Sequence, residues 1–494
     1  MTNISNPVRV RFAPSPTGHM HLGSARTALY DYLIAKKTKG QFILRIEDTD
    51  QNRLVTGAED ELMEGLRWLG MDWEEGPDVG GGFGPYRQSE RKEIYLQYAN
   101  QLIENNHAYY CFCSPERLAQ VRKERKDQKE MTHYDGHCRN LPPDEASRRV
   151  AQGEKHVIRF RIPQAGSTVI NDLLRGEIVV ENRNLDDFIL IKSDGWAVYH
   201  LAAVVDDHLM NISHVIRGEE WIPTLPLHSL IHRAFGWEEP VWVHLSVFLK
   251  PSGKGKMSKR EAAELDKDGY SIFIKDLKSL GYLPEAVVNW IALMGWSYDD
   301  HTELFSMDDL IEKFSLERLN PSPAAINFSK LDYFNRQYIK RLNDHTLAEY
   351  IQPYFIKAGY QADVETLKKV APLINERITT LDDAVEFARF FFTDKLKYDK
   401  QSLIIEGLTP GETMKVGEGV IEVLSTLPQV NPLTAEIPLC ELTSKYNITR
   451  KQLLSFLREA ISAQRVTPPL FESMEVLGKG KVITRIQDAL NVLG

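Results

Sequence analysis

Two short stretches combine residue types and spacings suited to phosphate chemistry. The first is GHMHLG, residues 18–23, between a strand-like segment broken by Pro14 and Pro16 and a helical pattern that opens near Gly23. A histidine with a glycine two residues later, at a strand end and before a helix, builds a phosphate-facing surface. The helix N-terminus offers unpaired N–H groups and partial positive charge. Glycine lets a nucleotide approach the backbone, and an imidazole can donate to a phosphate oxygen as negative charge builds. His21, two residues before Gly23, suits that donation better than His19, which stays open as the alternative. Both could also be ordinary turn histidines. The second stretch is GKGKMSKR, residues 253–260, with two glycines and four cations in eight residues. Lys256 and Lys259 could clamp a triphosphate; the alternative for such a charge run is a solvated loop.

Cysteines form a third candidate group. Cys111, Cys113 and Cys138 are three soft ligands where zinc wants four. His133, Tyr134 and His137 stand close enough in sequence to complete a set. Reduced cysteines without metal are the other reading. Cys440, beside Leu439 and Leu442, reads as a buried small residue.

The elements that must position these residues follow from periodicity. Val8, Val10 and Phe12 alternate and read as a strand; GSARTALYDYLIAKK follows at helical spacing. GQFILRIEDTD is a second strand and GAEDELMEGLRWLG a second helix. Strand, helix, strand, helix points to a parallel α/β sheet, with ligands at the carboxyl ends of its strands. SPTGHMHLG and EDTD both fall at such ends. From about His107 the pattern changes to a charged helical run and segments such as EKHVIRFRIP and GEIVVENRNLDDFILIKSDG, which read as an antiparallel insertion. HVIRGEEW and EPVWVHLSVFL return to the sheet. After Lys256 the chain reads as nearly all helical.

Composition bounds the rest. A chain of 494 residues is too long for one core and predicts about three to five compact units. No basic-then-apolar leader opens it and no apolar run reaches spanning length, which predicts a cytoplasmic protein with no membrane partner. A net charge of −9 argues only mildly against nucleic acid, because binding needs a basic stripe rather than a basic total. Arg450, Lys451, Arg458 and Arg465, then Lys479, Lys481 and Arg485, could supply such a stripe or simply solvate helix faces. The run RFFF, 389–392, reads as core.

Taken together, HLGS (21–24) and KMSKR (256–260) resemble the HIGH and KMSKS signatures of class I aminoacyl-tRNA synthetases in order and separation. RFAPSPTG, HLGSARTAL, RIEDTD, GPYRQSER, YHLAAVVDDHLMNISHVIRGEEW and KMSKR resemble the bacterial glutamyl-tRNA synthetase family block by block, closely to about residue 335 and more loosely beyond.

That resemblance implies an α/β Rossmann-type parallel-sheet catalytic domain with an α+β insertion, followed by all-α C-terminal domains. The implied divisions are 1–106 and 197–260 (catalytic), 107–196 (acceptor-binding insertion), 261–335 (stem contact) and 336–494 (anticodon binding). It implies ATP and Mg2+ as cofactors, L-glutamate and tRNA(Glu) as partners with tRNA(Gln) as a second possible tRNA, and a monomer. His21, Lys256 and Lys259 become the catalytic residues. Gly23, Ser24, Glu220, Met257, Ser258 and Arg260 join them in holding ATP. Arg11 and Arg217 would neutralise the substrate side-chain carboxylate, Ser15 would add a hydroxyl, Glu47 would meet the ammonium, and Tyr199 would line the pocket. Ala203 departs from relatives that carry Asn there, so His200 or a water would have to replace that hydrogen bond. Zinc-binding relatives resemble C-x-C…C-x-H, where this chain has Asn140; a related C-x-C…Y-x-x-x-C arrangement fits Tyr134 and Cys138, so zinc stays an open alternative. Rival readings are a shortened relative that glutamylates queuosine in tRNA, a small-molecule nucleotidyltransferase, and an inactive tRNA-binding paralogue. The long helical tail, the absent second histidine of an H-x-G-H motif, and the intact His21, Lys256 and Lys259 count against them in turn.

Overall fold

The computed structural model describes residues 7–129, 132–257 and 269–494. Ser258, Lys259 and Arg260 of the basic loop lie outside the described residues. The chain divides into two units, Met1–Leu277 with Val287–Phe328, and Lys278–Ala286 with Ser329–Gly494.

The first unit opens with β1 (Arg9–Phe12), α1 (Leu22–Lys37), β2 (Gln41–Leu44) and α2 (Ala58–Trp68). β1 and β2 pair in parallel, with Arg9 opposite Gln41 and Phe12 opposite Leu44. Val10, Arg11 and Phe12 are all buried, the two-sided burial of an interior parallel strand rather than the alternation of a half-exposed one. The chain continues through α3 (Lys92–Glu104), β3 (Ala108–Cys111), α4 (Pro115–Asp127), α5 (Pro143–Ala151), β4 (Val157–Phe160), β5 (Ser167–Asp172), β6 (Gly176–Glu181) and β7 (Ile189–Ile191). β3, β4 and β7 form an antiparallel sheet, and β5 and β6 an antiparallel hairpin. The antiparallel insertion expected from about His107 is therefore present. The chain then returns through α6 (Tyr199–Leu209), β8 (His214–Gly218), α7 (Leu225–Phe235), β9 (Val241–Leu245) and β10 (Phe248–Leu249). β8 lies alongside β1, tied by the Ser213 N–H to the Arg9 carbonyl at 2.9 Å, and pairs in parallel with β9. Among the described residues after Lys256, one strand interrupts the helices: β11 (Ala324–Ala325) pairs in parallel with β10. Two residues are too few to leave a periodic signal in sequence.

The second unit is helical. Its helices include Asp344–Lys357, Val364–Ile374, Pro410–Thr426, Pro432–Tyr446, Arg450–Ser462 and Lys479–Leu493. Asn343, Asp363, Thr409, Asn431 and Thr449 cap five of them by accepting from backbone N–H groups of the first turn. Val420, Leu439, Leu453, Phe456, Ile486 and Leu490 share one core. Phe390 and Phe391 of RFFF are buried, as core residues should be. Among the described residues, no helix is long and apolar enough to cross a membrane.

Candidate active site

β1 and β2 run in the same direction, so the loops after them leave the sheet at one edge. Backbone bonds from Arg45 N to the Phe12 carbonyl and from Glu47 N to the Pro14 carbonyl, both 3.0 Å, carry the pairing past the strand ends. The loops SPTG and EDTD therefore leave side by side. They border a cleft of about 760 Å³ lined by Arg11, Ser15, His21, Gly23, Ser24, Glu47, Tyr199, Arg217, Glu220, Lys256 and Met257. Every described residue that the sequence blocks single out for nucleotide or amino acid lines this one cleft. Trp221, whose ring centroid is 4.6 Å from that of Tyr199, also lines it and was not named from sequence. Ala203 is buried and, like His200, is not among the lining residues.

His21 is the N-cap of α1. Its Nδ1 accepts from Gly23 N (3.1 Å) and Ser24 N (3.3 Å), while the His21 N–H donates to Ser24 Oγ (3.1 Å). An accepting Nδ1 places the proton of the neutral ring on Nε2. Glycine at 23 has a local cause: a Cβ there would lie 3.0 Å from His21 Cε1. His19 instead pairs with Glu61 at 2.8 Å and meets Lys275 Nζ, also at 2.8 Å.

The basic loop is bracketed by backbone contacts at the cleft. Met257 N donates to the Phe248 carbonyl (3.1 Å) and Lys250 N to the Gly255 carbonyl (3.1 Å). Gly253 and Gly255 take φ of 73° and 81°, which glycine adopts without strain. Beyond the loop, Ile272 and Ile274 make backbone bonds to Leu22 and Met20, so the chain after KMSKR is pinned to the HMHL segment.

Charge is arranged unevenly around the cleft. Arg11 Nε pairs with Asp207 Oδ1 at 3.0 Å, and Arg45 pairs with Asp207 at 2.7 Å and Glu47 at 3.0 Å. All four are buried. Burial pushes the Asp207 carboxyl up, but Arg11 and Arg45 outweigh it and hold it below its ordinary range. Burial wins for Glu47 and raises it, against the pull of Arg45 and Arg11. Arg45 also lies 3.8 Å from Asp206, so both arginines face carboxylates directly. Arg217 does not share that arrangement. It is 6% exposed and has no carboxylate partner among the described residues; its Nε donates to His244 Nε2 (3.0 Å) and one terminal nitrogen to Tyr199 Oη (3.2 Å). Its other terminal nitrogen is buried with no partner among the described residues. The ion pair that Glu219 could have offered goes to Arg175, and Glu220 folds back where a Cβ on residue 218 would strike its carboxylate at 2.2 Å.

Some organising residues fall inside the quoted blocks but received no role from sequence. Arg26, on the buried face of α1, donates to the Met294 and Ser246 carbonyls and stacks 4.0 Å from the Phe248 ring centroid. Asp206 holds Arg91 at 2.7 Å. The available signal was a charged side chain inside an apolar helical or strand pattern.

At the end of β3, the sulfurs of Cys111, Cys113 and Cys138 lie within 4.8 Å of one another, with Cys113 and Cys138 3.6 Å apart. Tetrahedral zinc with Zn–S of about 2.3 Å separates its sulfurs by about 3.8 Å. Tyr134 Oη lies 3.3 Å from Cys111 Sγ and 3.5 Å from Cys113 Sγ, where a fourth ligand belongs. Hydrogen bonding from Cys138, with Tyr134 adding, outweighs burial and lowers Cys111 to about 4. Three sulfurs at this spacing with a phenol oxygen beside them fit a zinc ion.

In the second unit most of the candidate cations are occupied. Arg485 is buried and donates to the carbonyls of Ile461, Phe390 and Thr393. Lys479 donates to the Ser425 and Leu427 carbonyls, Lys481 to the Phe391 carbonyl, and Arg450 pairs with Glu436. These side chains tie helices together rather than form a stripe. Lys451 and Arg465 stay exposed.

Fold and cleft are those of a class I tRNA synthetase: residues 7–333 match the family described as tRNA synthetases class I (E and Q), catalytic domain, and residues 346–490 match an anticodon binding domain. The chain is 43% identical over 492 residues to a glutamate–tRNA ligase of Dehalococcoides mccartyi, covering 99% of this chain and 98% of that one. A Borrelia recurrentis glutamate–tRNA ligase is also 43% identical, over 493 residues, covering 98% of this chain and 96% of that one. A crystal structure of a glutamate tRNA ligase from Elizabethkingia meningosepticum, in complex with its amino acid, superposes with a TM-score of 0.90 at 37% identity, covering 99% of this chain and all of that one. The chain belongs to the glutamate–tRNA ligase family.

Proposed function

We propose that this chain joins L-glutamate to the terminal adenosine of tRNA(Glu) through a glutamyl-adenylate. The observation that carries the reading is Arg217, a buried guanidinium that lines the cleft and hydrogen-bonds only neutral partners among the described residues. Glutamate brings a side-chain carboxylate, and Arg217 meets the cleft with no carboxylate of its own among the described residues. Arg217 and the terminal nitrogens of Arg11 take the side-chain carboxylate, Glu47 takes the ammonium, Ser15 adds a hydroxyl, and Tyr199 lines the pocket.

In the first step the α-carboxylate attacks the α-phosphorus of ATP, and pyrophosphate leaves. Mg2+ carried with the phosphates would offset their charge. His21 Nε2–H and the loop residues Lys256 and Lys259 stabilise the charge that develops on the phosphate oxygens. Gly23, Ser24, Glu220, Met257, Ser258 and Arg260 hold the nucleotide. In the second step the tRNA 2′-hydroxyl attacks the adenylate carbonyl and AMP leaves. No protein nucleophile is needed; positioning and electrostatics carry the rate.

Residues 107–196 are proposed to meet the acceptor end, 261–335 the stem, and 336–494 the anticodon. Cys111, Cys113, Cys138 and Tyr134 would hold a structural zinc that fixes the end of β3. The protein is proposed to act as a cytoplasmic monomer.

The test is charging of purified glutamate and glutamine tRNAs with labelled glutamate and Mg·ATP. Charging of tRNA(Glu) supports the reading, and the tRNA(Gln) lane reads whether that tRNA is a second partner. No charging of either overturns it in favour of the base-modifying or inactive alternatives. Metal analysis of the purified chain tests zinc: one ion per chain, lost in Cys138→Ser, supports the site, and none in the native chain refutes it.

A further inference from the structure

Arg217 must point at the cleft without being neutralised, and the side chains behind it meet that demand. Its Nε donates to His244 Nε2 at 3.0 Å, and His244 Nδ1 lies 2.7 Å from Asp172 Oδ2. His244 and Asp172 are both buried. To accept from Arg217, Nε2 must be bare, so the ring proton sits on Nδ1 and is donated to Asp172. The imidazole therefore orients the guanidinium as a neutral acceptor, and the carboxylate that fixes the tautomer is held one ring away. Arg11 and Arg45, by contrast, touch carboxylates directly.

Asp172 is held in turn. It ends β5, and its Oδ1 accepts from Leu174 N (3.0 Å) and Arg175 N (2.8 Å) in the turn to β6. Arg175 closes the turn onto β9, the strand that carries His244, by donating to the His244 carbonyl (3.1 Å). Each atom of the chain from turn to guanidinium thus has one role fixed by its neighbour.

We infer that Asp172 and His244 are positioning residues for amino-acid selection: they set the direction of Arg217 and keep its charge for the substrate carboxylate. The inference rests on the glutamate reading of the cleft. Neither residue touches substrate.

Asp172→Asn is the discriminating substitution. The Asn oxygen must stay on the Leu174 and Arg175 N–H groups, because the flipped amide would set donors against donors. Its NH2 then faces His244 Nδ1 and drives the ring proton to Nε2, where it meets the Arg217 Nε–H donor to donor. The turn is kept, but Arg217 is turned away. His244→Gln can accept from Arg217 and donate to Asp172 with one amide; His244→Leu can do neither.

The experiment measures tRNA charging as KM for glutamate, KM for ATP and kcat, alongside the thermal midpoint. Asp172→Asn and His244→Leu are expected to raise KM for glutamate roughly 10- to 100-fold, the worth of one charge-assisted hydrogen bond. KM for ATP should stay near native, and His244→Gln should recover most of the glutamate affinity. Should His244→Leu fail to fold, Asp172→Asn and His244→Gln still decide. A folded Asp172→Asn with native KM for glutamate overturns the inference alone. So does an equal rise in both KM values, which marks a structural role, or a folded His244→Gln no better than His244→Leu. A native chain that charges no tRNA overturns this inference and the ligase reading together.

Discussion

Replacing Arg217 with methionine keeps most of the side-chain volume and removes one charge. Substrate would lose the two bonds that the guanidinium can offer its carboxylate. At about 1.5–3 kcal/mol for each bond to a charged group, the loss is about 3–6 kcal/mol. That corresponds to a fall of roughly 10²- to 10⁴-fold in kcat/KM for glutamate. Stability should move differently. Arg217 is a buried cation whose contacts are His244, Tyr199 and His228, none of them charged partners. Removing an uncompensated buried charge is neutral or stabilising, while leaving His244 and Tyr199 to find new partners costs about 1–3 kcal/mol. The two effects offset, so the thermal midpoint should stay near native while activity collapses. Charging at varied glutamate, with calorimetry on the same preparations, reads both. A fall in kcat/KM of less than about tenfold would refute the charge argument, and a loss of activity that merely tracks unfolding would show that Arg217 is structural.

Three further outcomes are expected. His21→Asn keeps an oxygen that can cap α1 but has no ring Nε2–H; kcat should fall by roughly 10²-fold or more with little change in midpoint, and a native kcat would move the chemistry elsewhere. Arg485→Leu leaves three carbonyls in the second unit without their donor and should cost about 3–5 kcal/mol in urea unfolding; a loss under about 1 kcal/mol would mean that water reaches those carbonyls. His200 is held at about 4 by burial, with Arg217 adding to the shift, and burial holds His228 well below its ordinary value. Both folded-state values lie below the unfolded value near 6.5, so the unfolded chain binds protons first as pH falls. Their contribution is full above about pH 6.5 and is lost as pH falls below it, for His200 down to about 4. His200→Gln should flatten that fall in urea titrations at pH 7 and 5, and an unchanged slope would sink the assignment.

Much of this arrangement could be read along the chain. The strand–helix–strand–helix opening, the antiparallel insertion and the helical tail each carry their own period of 2 or 3.6, because burial acts on one face of a local element. The blocks around His21, Glu47, Arg217 and Lys256 were likewise visible, since each is short and contiguous. β11, two residues long, is too short to show a period and leaves no such trace.

What chain order alone determined is which residues stand at the ends of parallel strands, and so which could share one edge of a sheet. What only the tertiary structure decided is how their charges are apportioned. Arg11 and Arg217 read alike in sequence, yet one is paired with Asp207 and the other is left to neutral histidines. Arg485, Lys479 and Lys481 read as a basic stripe, yet they are spent on carbonyls of distant helices. Coulomb energy and hydrogen bonding depend on separation in space, and the partners here lie 11 to 196 residues apart in the chain. No local pattern records a contact of that kind.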